Sequence, residues 1–149
     1  MSSIENAVPC EEPVLAASLP MHLLDLVGSV RAGFPSPAED LGAKRVDLTA
    51  QLVKHPQATF LIRARGESMR EAGIFDGDVL VVDRAVPPRN GHVVIAVVEG
   101  EFVCKTLWAR AGRMKLKAAN PSYPDIVPRE GQTVEVWGVV IHAIKSMPM

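Results

Sequence analysis

Ser68, in the glycine-marked stretch Gly66-Glu67-Ser68-Met69, and Lys105, alone in the apolar run Phe102-Val103-Cys104-Lys105-Thr106-Leu107-Trp108, are by type the residues of this chain best suited to covalent chemistry. A serine hydroxyl becomes a strong nucleophile when a base takes its proton. Lysine can be that base once burial disfavours its ammonium form and leaves a neutral amine. The pair therefore reads as a candidate Ser/Lys dyad for acyl transfer. Upstream, Val30-Arg31-Ala32-Gly33-Phe34 sets two small residues side by side, and the Ala32-Gly33 bond is slim enough to enter a narrow active-site cleft. Enzyme and substrate can then be one chain.

Each residue also has a plainer reading. Serine is a preferred N-cap, so Ser68 in a Gly-flanked turn can simply cap a helical turn, and Gly-x-Ser-Met alone is weak evidence of catalysis. Strand alternation sets Val103, Lys105 and Leu107 on one face and Phe102, Cys104, Thr106 and Trp108 on the other, so both faces are largely apolar. Lysine is seldom placed in such a run without a partner or a role. On an edge strand, however, it can pack its stem and keep its head in water.

Other chemistries find less support. His22, His55, His92 and His142 are scattered without paired spacing and give no positive sign of a Ser/His triad. Asp76-Gly77-Asp78 falls far short of a calcium loop and suits a turn before a strand. Cys104 reads as a small core residue, and Trp108 and Trp137 as core or dimer-contact aromatics. No metal and no cofactor is expected.

The elements that must position the pair follow from composition and pattern. The chain has 149 residues, 48% of them apolar, enough for one domain with a short appendage. Sixteen Lys and Arg against seventeen Asp and Glu leave a net charge of -1, without the basic excess of a free-standing nucleic-acid binder. Any link to DNA should run through a partner. Aromatics are only 5%, and Val, Ile and Leu carry the apolar load, which favours a β-rich core.

Two cysteines, Cys10 and Cys104, make neither a disulfide framework nor a metal cluster, which points to a reducing, cytoplasmic setting. The apolar stretch over 14–30 is broken by Pro20, His22 and Asp25 and follows Glu11 and Glu12, unlike a secretory signal. Nothing approaches the roughly 20 apolar residues that span a bilayer.

Residues 1–45 read as an N-terminal arm, since Pro9, Pro13, Pro20, Pro35 and Pro37 forbid long regular elements, and residues 46–149 as the globular domain. A short helix fits 21–27. A second starts after Asp47, carries Leu48, Leu52 and Val53 at helical spacing, and stops before Pro56. Strands are expected over 58–63, 78–83, 92–98, 101–108, 113–118 and 133–144, with a tight hairpin at Glu99-Gly100 and a helical turn over 68–72 closed by Gly73. The fold class is mostly β and antiparallel.

Several stretches, taken in order, carry a family resemblance: Ala32-Gly33-Phe34-Pro35-Ser36-Pro37-Ala38, Gly66-Glu67-Ser68-Met69 with Gly73-Ile74 and Gly77-Asp78, Glu101-Phe102 through Lys105, Asn120-Pro121, and Trp137-Gly138-Val139-Val140-Ile141-His142. The set resembles the LexA-like self-cleaving serine peptidases, and within them the UmuD branch of SOS mutagenesis proteins.

The resemblance implies a compact LexA/signal-peptidase-like β domain with a short extended arm. Ser68 would be the nucleophile and Lys105 the general base, with backbone N–H groups of Glu67 and Ser68 forming the oxyanion hole and cleavage falling between Ala32 and Gly33. It further implies a homodimer, activation by a RecA filament on single-stranded DNA, and a trimmed form that serves a UmuC-type DNA polymerase subunit in error-prone translesion synthesis.

Two departures stand out. Ala-Gly at the scissile bond is more like the LexA repressors than the UmuD branch, which often has Cys-Gly, and the first ten or so residues are an extra extension. The arm is too short for a helix-turn-helix domain and lacks a basic recognition helix, so no direct sequence-specific DNA binding is expected. Two other readings stay open: a soluble signal-peptidase-like hydrolase, and a non-catalytic β scaffold that binds a polymerase or regulator.

Overall fold

Runs of branched apolar residues parted by turn glycines dictate the architecture of this computed structural model, which describes residues 13–16, 23–26 and 44–149. Along the chain the described residues form β1 (Val14–Leu15), β2 (Leu23–Leu26), β3 (Lys44–Asp47), helix α1 (Leu48–Leu52), β4 (Thr59–Arg63), β5 (Val79–Asp83), β6 (Val93–Val98), β7 (Glu101–Arg110), β8 (Arg113–Lys117) and β9 (Val134–Ile144). One antiparallel sheet has the order β1-β4-β5-β9-β6-β7-β8, and β2 pairs only with β3. The six strands expected between residues 58 and 144 all form, within a residue or two of their expected limits.

The expected helix over 21–27 is corrected: Leu23–Leu26 is a strand, laddered antiparallel from Leu23 opposite Asp47 to Leu26 opposite Lys44. The ladder with residues 44–47 satisfies the backbone of this segment from outside it. Residues 14–16, in the stretch read as an arm, contribute β1 opposite Leu61 and Phe60, and Ala16 packs in a buried cluster with Val53 and Val81. Helix α1 forms as read, with Asp47 Oδ1 accepting from Ala50 N at 3.3 Å. Pro56 then opens a 3-10 turn, Pro56–Ala58, that leads into β4.

The hairpin between β6 and β7 turns on Glu99 and Gly100 at φ 50° and 81°. Such a left-handed pair matches the twist of the strands it joins. Its register sets Lys105 opposite Val94 and Cys104 opposite Ile95. Alternation then sends Phe102 and Cys104 to a cluster with Ile62, Met69, Ile74, Leu80, Val82 and Ile95, and Val103 and Leu107 to another with Val94, Ala96, Leu116 and Val139.

Strand β9 lies at the centre of the sheet, and its register slips once against β5 and once against β6. Gly138 sits where the strands close in, and a Cβ there would lie 2.7 Å from Val82 Cγ1 and 3.2 Å from Arg84 Cγ. Val82 is fully buried and branched, so it has little room to yield. Gly138→Ala is therefore expected to cost about 1–3 kcal/mol by overpacking, read as a lower urea midpoint at unchanged slope. A midpoint equal to that of the unsubstituted chain would show that the sheet relaxes around the methyl group.

Candidate active site

The turn that carries Ser68 is closed at its neck and braced from within. Where β4 ends, Ala64 N donates to Asp78 O at 2.7 Å and Gly77 N donates to Ala64 O at 2.8 Å, joining the two ends of the intervening loop. Gly66, at φ 89°, reverses the chain, and its N–H is held by Asp76 Oδ1 at 2.8 Å. Three residues on, Met69 drops its side chain into the core at 3% exposure. Ser68 is pinned between these anchors, half-buried.

The helical turn expected over 68–72 is shorter and starts later. It is a 3-10 turn, Arg70–Ala72, closed by Gly73 at φ 82°, and Met69 occupies the cap position without a side-chain bond. Capping therefore does not account for Ser68. Its Oγ lies 2.8 Å from Lys105 Nζ instead.

Lys105 reaches Ser68 from within strand β7. Strand β7 is bonded to β6 through Lys105 but to β8 only from Thr106 onward, so it is burial and not strand position that corrects the reading of Lys105 as a snorkelling residue with its head in water. Only 7% of the residue is exposed. Desolvation of this kind disfavours an ammonium ion relative to a neutral amine. A neutral Lys105 amine accepts from the Ser68 hydroxyl across the same 2.8 Å contact and can take its proton.

A third segment closes on the turn. Strand β8 ends at Lys117 opposite Thr106, one residue beyond Lys105, and the chain that follows crosses to Ser68. Glu71 N donates to Ala119 O at 2.7 Å, and Asn120 Nδ2 donates to Glu67 O at 2.8 Å. The N–H groups of Glu67 and Ser68 donate to no acceptor among the described residues. In the sequence Asn120 stood only within Asn120-Pro121, one of the stretches that carry the family resemblance, without a chemical role.

The remaining candidates fall elsewhere. Asp76 braces Gly66, while Asp78 accepts from Phe75 N and pairs with Lys145, so the Asp-Gly-Asp stretch is a turn, as read. His55 Nδ1 lies 2.6 Å from Asp83 Oδ2, a pair that spacing did not reveal. Asp83 ends β5 at the far side from the serine turn, about 13 Å of strand away from Val79, so this histidine does not complete a triad with Ser68. Cys104 is buried in the core, and Trp137 packs edge-on against Phe60 and Phe102 with Arg84 over its ring. Trp108 stacks with Lys115 instead. Ala32 and Gly33 lie outside the described residues. No helix among those residues is long and apolar enough to cross a membrane.

A β domain that buries a lysine against a turn serine has the parts of a peptidase, and the chain belongs to the Peptidase S24-like family, whose pattern runs through residues 25–141 and takes in both Ser68 and Lys105. Among its relatives, protein SamA of Salmonella typhimurium is 44% identical over 115 residues, covering 77% of this chain and 81% of SamA. Protein MucA of Escherichia coli is 38% identical over 133 residues, 89% of this chain and 88% of MucA. The LexA repressor of Paracidovorax citrulli is 36% identical over 124 residues, which cover 83% of this chain and 55% of the repressor.

Proposed function

We propose that this chain is a self-cleaving serine peptidase that cuts its own Ala32-Gly33 bond. The observation that carries the reading is the 2.8 Å contact between Ser68 Oγ and the Nζ of a lysine only 7% exposed. Lys105 takes the Ser68 proton as Oγ attacks the Ala32 carbonyl carbon. The tetrahedral oxyanion that forms is met by the N–H groups of Glu67 and Ser68. Its collapse breaks the Ala32–Gly33 C–N bond, and Lys105 returns the proton to the departing Gly33 amine. Water, deprotonated by Lys105 in turn, then releases the acyl group from Ser68.

Residues 1–45 act as the substrate arm and residues 46–149 as the peptidase domain. Membership of the family, with MucA and a LexA repressor among the relatives, supports a place in the SOS response to DNA damage. In this reading the protein is a cytoplasmic homodimer, a RecA filament on single-stranded DNA favours the cleft-engaged arm, and the trimmed form joins a UmuC-type polymerase subunit for translesion synthesis. Activation is then a population shift rather than new chemistry.

The mass of the purified chain before and after incubation at alkaline pH tests the peptidase reading. Loss of residues 1–32 is expected. An unchanged mass would favour the non-catalytic scaffold instead.

A further inference from the structure

The Glu67–Ser68 peptide is a rigid plane whose C=O and N–H point in opposite directions, so whatever holds the oxygen also aims the N–H. The Glu67 oxygen is held twice: Asn120 Nδ2 donates to it at 2.8 Å and Arg70 N at 3.3 Å. Asn120 is itself locked, because its Oδ1 accepts from Ser122 N at 3.0 Å. A flipped amide would set its oxygen against the Glu67 oxygen and its NH2 against the Ser122 N–H, losing both bonds. The Glu71–Ala119 bond fastens the same loop on the other side of Ser68.

From this geometry we infer that Asn120 is a positioning residue for the oxyanion: by gripping the Glu67 carbonyl it holds the Ser68 N–H in place and polarises it for the intermediate formed on Ser68. The inference rests on the peptidase reading above. A hydrogen bond accepted at one end of a peptide strengthens donation at the other, and a donor fixed beforehand needs no reorganisation as charge develops. Asn120 touches neither Lys105 Nζ nor Ser68 Oγ in the hydrogen bonds that hold it, so it acts on the transition state and not on the base.

Asn120→Ala removes the grip without introducing a charge beside Lys105. In the full chain, the high-pH plateau of the self-cleavage rate should fall by about 10–100-fold, short of the full loss of an oxyanion donor. The pH of half-maximal rate should stay where it is. With serine nitrogen-15 labelled, the Ser68 amide proton should move upfield in the variant.

A folded variant whose plateau stays within about twofold of the original, whose pH midpoint moves while the plateau holds, or whose Ser68 amide signal does not move would overturn the inference. Should the variant not fold, the unsubstituted protein decides: a through-hydrogen-bond coupling between Asn120 Nδ2 and the Glu67 carbonyl carbon is expected, and its absence overturns the assignment. The amide readouts do not depend on cleavage, so a protein that never cuts itself would count against the peptidase reading while still testing Asn120.

Discussion

Ser68→Ala is expected to yield a folded chain that stays whole under conditions in which the unsubstituted protein loses residues 1–32. In the proposed mechanism Ser68 Oγ supplies the atom that bonds to the Ala32 carbonyl carbon. Removal of a nucleophile that works as a unit with its base typically costs on the order of 10⁴- to 10⁶-fold in rate. Folding should survive, because Met69 and the Gly66–Asp76 and Glu67–Asn120 bonds anchor this turn, not the serine hydroxyl. A melting curve beside a time course by mass spectrometry separates the two effects. Specific cutting at Ala32-Gly33 by the purified variant at anything near the original rate would remove Ser68 from the mechanism.

Lys105 carries the second large effect, and pH gives its sign. An ammonium ion has no lone pair to take a proton, so the rate of unassisted self-cleavage should follow the neutral fraction of Lys105. It rises with pH through the lysine's titration and levels off above it. Lys105→Met keeps an unbranched apolar stem of similar length in the sheet and should fold, while the rate falls by at least about 10²–10⁴-fold. Lys105→Arg keeps the positive charge, but guanidinium does not deprotonate at accessible pH, so it should be as inactive as the methionine variant. The double variant Ser68→Ala, Lys105→Met should lose no more than Ser68→Ala alone, because the residues act as one unit. A rate flat across the alkaline range, or an active arginine variant, would show that Lys105 is not the base.

The comparison of these variants also separates the dyad from the Asn120 brace. Loss of the base removes the pH dependence, whereas loss of the brace lowers the plateau and leaves the midpoint alone. Gly138→Ala acts on neither and reads only the closeness of β9 to Val82.

The sequence by itself determined the six strands between residues 58 and 144, the hairpin at Glu99-Gly100, the helix after Asp47 and the residue types able to do chemistry. All of these rest on local physics: branched residues alternate on a pleated surface, and certain turns tolerate only left-handed backbone. Family-specific stretches added the order in which Ala32, Ser68 and Lys105 belong together. What the sequence left open was each choice made by a partner far along the chain. Leu23–Leu26 is a strand because residues 44–47 pair with it, and no pattern within four residues decides between helix and ladder. Lys105 could be read as snorkelling until its side chain was found buried with its amine on Ser68. Likewise Ser68 could be read as a cap until its hydroxyl was found on Lys105, and Asn120 had no role of its own until its amide was found on the Glu67 carbonyl. A hydrogen bond is directional and short-ranged, so its partner is chosen by where the sheet delivers the side chains, and only the tertiary structure made that choice.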